Sequence, residues 1–343
     1  MRRLLNTLYV TTQGAYLSRE GETVCVRLEG GERLRVPVHN LEGIVCFGQV
    51  SASPFLLGMC AERGVGVSFL SERGRFLARV QGPTSGNVLL RRAQYRLADR
   101  PEFAAEVARA VVTGKVLNCR AVLARALRRE PGAGPQAGLS AARGRLEQVL
   151  TRLPAAKSVD EIRGLEGEAA RSYFGAFDHL VTAQKEDFHF RERSRRPPLD
   201  KLNALLSFLY TLLVHDVMSA LEAVGLDPAV GFLHRDRPGR PGLALDLMEE
   251  LRPVWADRLA LTLVNRRQVK GKGFTRRESG AVWMDERTRK VVIGAYQNRK
   301  REELRHPFLG EKLAWGLVPF VQALLLARHL RGELEAYPPF LWR

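Results

Sequence analysis

A glutamate, a histidine and a closely spaced pair of carboxylates stand out in a chain that is otherwise strongly basic. Glu166 lies in Arg163-Gly-Leu-Glu-Gly-Glu-Ala-Ala-Arg-Ser-Tyr-Phe174, His234 ends Gly225-Leu-Asp-Pro-Ala-Val-Gly-Phe-Leu-His234, and Asp246 and Glu249 belong to Leu243-Ala-Leu-Asp-Leu-Met-Glu-Glu-Leu-Arg-Pro253. One imidazole with carboxylate oxygens suits a hard divalent cation, Mg²⁺ or Mn²⁺. Such ions bind phosphates and assist phosphodiester chemistry.

Asp246 and Glu249 are three residues apart in a helix expected to begin after Pro241-Gly242, so their carboxylates can converge on one cation; Glu250 completes an i, i+4 pair with Asp246. Glu166 and Glu168 share a helix but point about 200° from each other, so only one faces a common site. Glu166 is preferred, because Ala169, Ala170 and Tyr173 share its face and leave room for a ligand. Taken singly, each residue has a plainer role: a glutamate on a solvated helix face, acids drawn to a helix start by its dipole, a hydrogen-bonded histidine at the core boundary. Only the combination carries the metal reading.

The 343 residues hold 54 Lys and Arg against 37 Asp and Glu, a formal charge of +17, with a pI of about 10.4. That balance implies a polyanionic partner, nucleic acid first. Thirteen cations face five acids between 263 and 305. Among them Arg266, Arg267, Lys270 and Lys272 follow the carboxylate helix directly, placing phosphate-gripping groups beside the site; a solvated surface loop is the alternative. Gly271-Lys272-Gly273 lacks the G-x-x-x-x-G-K-[ST] pattern, so nothing points to ATP use. No segment reaches about 18 uninterrupted apolar residues and no lipidation signal is visible, so no membrane partner is expected. The start, Met1-Arg2-Arg3-Leu4-Leu5, is too short an apolar run for a secretory signal, and a cytoplasmic protein is expected. Cys25, Cys46, Cys60 and Cys119 show no C-x-x-C pair; they are expected to be small buried apolar side chains rather than zinc or cluster ligands.

The elements that must position these groups change character along the chain. Up to about residue 80, short β-branched and aromatic runs alternate with glycine turns: Leu8 to Thr12, Thr23 to Leu28, Arg33 to Val38, Gly43 to Phe47, Val65 to Leu70 and Phe76 to Val80, with one short helix capped by Ser53. After Gly82-Pro-Thr-Ser-Gly86 the pattern becomes amphipathic and helical, and Ser158 with Glu161 forms a capping box ahead of Glu166. The expected fold class is α+β: a small N-terminal β-sheet domain at 1–82, a linker at 83–90, and a larger all-α catalytic domain at 91–343.

At these residues the chain resembles the spacer-acquisition integrase family of CRISPR loci. The likeness runs through the β domain, the Arg91-x-x-Gln94 start of the helical part, Lys115-x-x-Asn118 and the three motifs above. Only the stretch 131–140 has no confident counterpart. The resemblance implies a homodimer, a small ferredoxin-like CRISPR-associated protein bridging two dimers, and DNA partners, namely the spacer precursor and the CRISPR repeat. It implies Glu166, His234 and Glu249 as metal ligands, with Asp246 as an additional catalytic acid. The implied reaction is transesterification by a spacer 3′-hydroxyl, with endonuclease activity when water replaces it. A non-catalytic dimeric DNA-binding scaffold and a plain structure-specific nuclease are the competing expectations.

Overall fold

The computed structural model describes residues 6–72, 76–80, 82, 88–129 and 135–342. Residues 83–87 of the expected linker and 131–134 of the unmatched stretch therefore lie outside the described residues. The chain divides into two compact units, Met1–Gly86 with Glu286–Glu302, and Asn87–Asp285 with Glu303–Arg343.

The first unit is built from β1 (Thr7–Val10), β2 (Tyr16–Glu20), β3 (Thr23–Leu28), β4 (Gly31–Pro37), β5 (Gly43–Phe47), β6 (Ser51–Ala52), α1 (Pro54–Glu62), β7 (Gly66–Leu70) and β8 (Phe76–Val80). One sheet has the order β1-β5-β7-β8, parallel except for β8, and the other the order β4-β3-β2-β6. Leu17, Val24, Ile44, Cys46, Leu56 and Cys60 form its fully buried centre. Ser53 Oγ accepts the Leu56 amide at 3.2 Å and Pro54 takes the first helical position, as the residue types require. All four cysteines are free and buried. Burial pushes the Cys46 thiol up to about 12 and that of Cys60 to about 11.

The second unit is mostly helical: α2 (Val88–Ala98), α3 (Pro101–Arg129), α4 (Pro135–Arg152), α5 (Val159–Gly175), α6 (Lys201–Val224), α7 (Gly242–Glu249) and α8 (Arg258–Asn265). It also holds β9 (Phe274–Arg276) paired with β10 (Val282–Met284). Helix α9 (Glu286–Arg301) groups with the first unit, where Lys300 Nζ reaches Thr7 Oγ1 at 3.5 Å. The hairpin β11 (Glu303–Arg305) with β12 (Lys312–Ala314) and helix α10 (Val318–Leu330) return to the second.

The helix expected to begin after Pro241-Gly242 is short, running only over Gly242–Glu249. After α7 the backbone widens into a π-helical turn over Arg252–Asp257 before α8 begins. Pro253 has no N–H to donate to the preceding turn and its ring crowds it, which favours the wider winding. Helix α6 is long and apolar enough to cross a membrane by length and composition, but 56% of its most apolar window is buried inside the protein. Leu202, Leu205, Leu206, Leu209 and Leu213 are all buried, the pattern of a core helix.

Candidate active site

The site lies in the second unit, where helices α3, α5 and α7 meet the loop that carries His234. Helix α5 starts at the expected Ser158 cap: Ser158 Oγ accepts the Glu161 amide at 3.2 Å, while the Glu161 carboxylate reaches one residue beyond the cap and accepts the Lys157 amide at 2.7 Å. That start fixes the helix phase, so Leu165, Ala169 and Tyr173 are buried while Glu166 stays 26% exposed at its side chain. Glu168 points away and pairs with Arg152 at 2.8 Å.

The loop carrying His234 is held at both ends. Gln94, fully buried on α2, donates to the carbonyls of Asp227 and Val230 at 2.8 Å each and accepts the Asp227 amide at 2.9 Å. At the other end Asp246 on α7 gathers the loop's amides. Its Oδ2 accepts Phe232 N at 2.6 Å and Leu233 N at 2.9 Å, and its Oδ1 accepts His234 N at 3.0 Å. The same Oδ1 lies 2.6 Å from His234 Nδ1. A buried carboxylate receiving three amides is an acceptor, so Nδ1 carries the proton and Nε2 presents its lone pair. The i, i+3 spacing allows Asp246 and Glu249 to converge on one cation. Here both oxygens of Asp246 are engaged by the loop amides, and Oδ1 also meets the His234 ring.

Lys115 on α3 stands at the centre. Its ammonium pairs with Glu166 Oε1 and lies 2.6 Å from Glu249 Oε2. Arg252, one turn beyond Glu249, donates to Glu249 Oε1 at 2.6 Å, and His234 Nε2 is 4.0 Å from that oxygen. Burial opposes the charge on Glu249, but Arg252 and Lys115 outweigh it and hold its carboxyl down at about 2. Burial likewise opposes the Lys115 charge, and Glu249 and Glu166 raise it above the ordinary lysine range. Arg252 rests on the Tyr210 ring at 5.0 Å, with Arg193 also on that ring at 5.1 Å; the Tyr210 hydroxyl donates to Asp257 at 2.6 Å.

A further layer fixes the end of α7. The fully buried Glu250 accepts from Gln322 and Tyr337 at 2.8 Å each and from the Phe340 amide at 3.0 Å. Asn118, also fully buried, donates to the carbonyls of Glu250 at 2.7 Å and Phe340 at 2.8 Å. The C-terminal tail therefore braces both the α7 terminus and the α3 turn that follows Lys115.

Arg266, Arg267, Lys270 and Lys272 are exposed in the segment after α8. The cationic run between 263 and 305 does not form one surface element: Arg287, Arg289, Lys290, Arg299, Lys300 and Arg301 lie on α9, in the first unit, and Lys300 is buried.

Among the described residues, no group of three or more His, Cys, Asp and Glu side chains stands in metal-holding geometry. The donor set nonetheless suits a hard divalent cation. Glu166 and Glu249 already gather around one positive charge, the Lys115 ammonium, and His234 offers Nε2 with its other nitrogen anchored by a carboxylate, the usual support of a metal-bound imidazole. Sequence reasoning missed Lys115 and Arg252 as site residues. The signals were a lone lysine among the buried Val111, Val112 and Val116, and an arginine one turn from Glu249.

A family model described as CRISPR associated protein Cas1 matches residues 8–298. The chain is 56% identical over 343 residues to a CRISPR-associated endonuclease Cas1 of Chlorobaculum tepidum, with all of both chains covered. A Cas1 protein from Thermotoga maritima has the same fold at a TM-score of 0.83 and 24% identity, covering 97% of this chain and 99% of that one. A casposase bound to its integration product gives 0.84 at 24%, covering 98% and 94%. A chain of a Cas6-RT-Cas1–Cas2 complex gives 0.83 at 22%, covering 100% and 36%. The Ser158 cap before Glu166, the loop wrapped on Asp246 and the paired carboxylates are thus features of a chain that belongs to the Cas1 family of CRISPR-associated endonucleases.

Proposed function

We propose that this protein is the metal-dependent integrase of CRISPR adaptation, joining the 3′-hydroxyl of a new spacer DNA to the repeat array. The observation that carries this reading is the meeting of Glu166 and Glu249 on one cationic point, beside a histidine whose orientation Asp246 dictates. Mg²⁺ or Mn²⁺ bound by Glu166, His234 and Glu249 would polarise the scissile phosphate and offset the charge that develops on its oxygens.

The chain's own residues do the rest. Asp246 keeps the His234 proton on Nδ1 and the loop in register. Arg252, braced by Tyr210, keeps Glu249 ionised and pointed inward. Arg266, Arg267, Lys270 and Lys272 bind DNA phosphates without reading bases. In the reaction a phosphorus–oxygen bond forms to the spacer 3′-oxygen while one in the repeat breaks. The number of phosphodiesters is unchanged, so no nucleotide cofactor is required. Water in place of the hydroxyl gives cleavage, in keeping with the endonuclease name of the curated relative. The protein works as a homodimer on spacer precursor and repeat, with a small ferredoxin-like CRISPR-associated protein bridging two dimers. The fold shared with a casposase on its product and with a Cas1–Cas2 assembly supports this reading.

Separate Glu166→Ala, His234→Ala and Glu249→Ala variants test the reading. Each is expected to lose strand joining by on the order of a hundredfold or more, with circular dichroism and sizing chromatography unchanged. A variant that joins DNA at close to the wild-type rate removes its residue from the ligand set.

A further inference from the structure

The proposed chemistry gives Lys115 no task, yet its ammonium occupies the middle of the site. Only 8% of its side chain is exposed, so it has lost most of its hydration and is compensated by Glu166 and Glu249. Those two carboxylates and the two cations that touch them, Lys115 and Arg252, balance in formal charge. A divalent ion approaching the same oxygens meets an ammonium already at contact distance, where like charges in a poorly hydrated site repel strongly. The α3 backbone has no room to withdraw. A Cβ on the neighbouring Gly114 would stand 2.8 Å from Pro339 Cβ and 3.2 Å from Glu250 Cβ, and Asn118 ties the next turn to Glu250 and Phe340. Accommodation falls to the Lys115 side chain, whose flexible four-carbon stem can carry the ammonium away.

We propose that Lys115 is an internal counter-ion that competes with the divalent cation for Glu166 and Glu249, keeping the two carboxylates together until the metal displaces it. This rests on the reading of Glu166, His234 and Glu249 as metal ligands. Two consequences follow from the charges: the metal-free site stays assembled, and metal affinity is lower than the carboxylates alone would give.

The test is Mn²⁺ binding by electron paramagnetic resonance to the full chain, paired with thermal unfolding with and without Mn²⁺. Wild type, Lys115→Met and Lys115→Gln are compared, each also in a Glu166→Gln background. Both neutral Lys115 variants are expected to bind Mn²⁺ at least about tenfold more tightly than wild type. They should melt below wild type without metal, and saturating Mn²⁺ should narrow the gap. An unchanged or weaker affinity that still depends on Glu166 overturns the competition and leaves the ligand set standing. Mn²⁺ binding that ignores Glu166→Gln in every background overturns the ligand set, and the competition with it. If neither variant can be recovered folded even with Mn²⁺ present, the metal does not replace the ammonium and the proposal fails.

Discussion

Gly231 and Asp246 approach so closely that a Cβ on the glycine would stand 2.6 Å from Asp246 Oδ2, and 2.7 Å from the Gly242 carbonyl carbon. That oxygen accepts the amides of Phe232 and Leu233, so the loop leading to His234 is wrapped directly on a carboxylate with no space for a side chain. Gly231→Ala is therefore expected to destabilise the protein by about 1–3 kcal/mol and to displace His234. Strand joining should fall more than melting temperature alone explains. Wild-type joining and an unaltered melt would show that the loop has slack.

Asp246→Asn keeps the shape but places an amide NH₂ among N–H donors and removes the acceptor that fixes the His234 tautomer. Joining and metal-dependent cleavage are expected to drop by roughly 10- to 100-fold, with DNA affinity by fluorescence anisotropy unchanged. A loss of DNA affinity with normal turnover would instead assign Asp246 to substrate binding.

Joint replacement of Arg266, Arg267, Lys270 and Lys272 by Ser tests the exposed cationic segment. Binding should weaken on every DNA sequence, and the slope of log K against log salt should shrink by roughly 0.9 for each lost phosphate contact. An unchanged slope places the DNA backbone elsewhere.

Burial pushes Glu250 up to about 7 from 4.5, against the pull of Tyr337, Gln322 and the Phe340 amide. The folded state therefore keeps this proton at a pH where the unfolded chain has lost it. The associated stability is present below the unfolded value and is lost as pH rises through about 7. Urea unfolding near pH 5 and near pH 8 should show wild type losing about 2–3 kcal/mol more than Glu250→Gln over that interval. Parallel pH profiles would mean that the carboxyl is ionised throughout.

The carboxylates and histidine were legible because residue type and spacing carry their chemistry, and the Ser158 cap and the strands β3, β5 and β8 appear where local pattern places them. Other features depend on what packs nearby. The polar strand Tyr16–Glu20 has one fully buried side chain, Leu17, and owes its form to pairing with β3 and β6. The i, i+3 spacing of Asp246 and Glu249 left the role of Asp246 open, because spacing says nothing about the loop that engages its oxygens. Lys115 lies 51 residues from Glu166 along the chain, so no local pattern announces their contact. Helix α9 was hidden by its charges, with only Val292, Ile293 and Tyr296 marking an apolar face.

The central claim is that a 3′-oxygen attacks a phosphodiester at this site. The most direct measurement is strand joining to supercoiled repeat DNA with Mg²⁺ or Mn²⁺ and no ATP, with the small bridging protein present, comparing spacer ends that carry a 3′-hydroxyl with dideoxy ends. The account predicts joined product from the hydroxyl end alone, lost in Glu166→Ala, His234→Ala and Glu249→Ala. Joined product from the dideoxy end, or DNA binding with no metal-dependent product from either end, would contradict it.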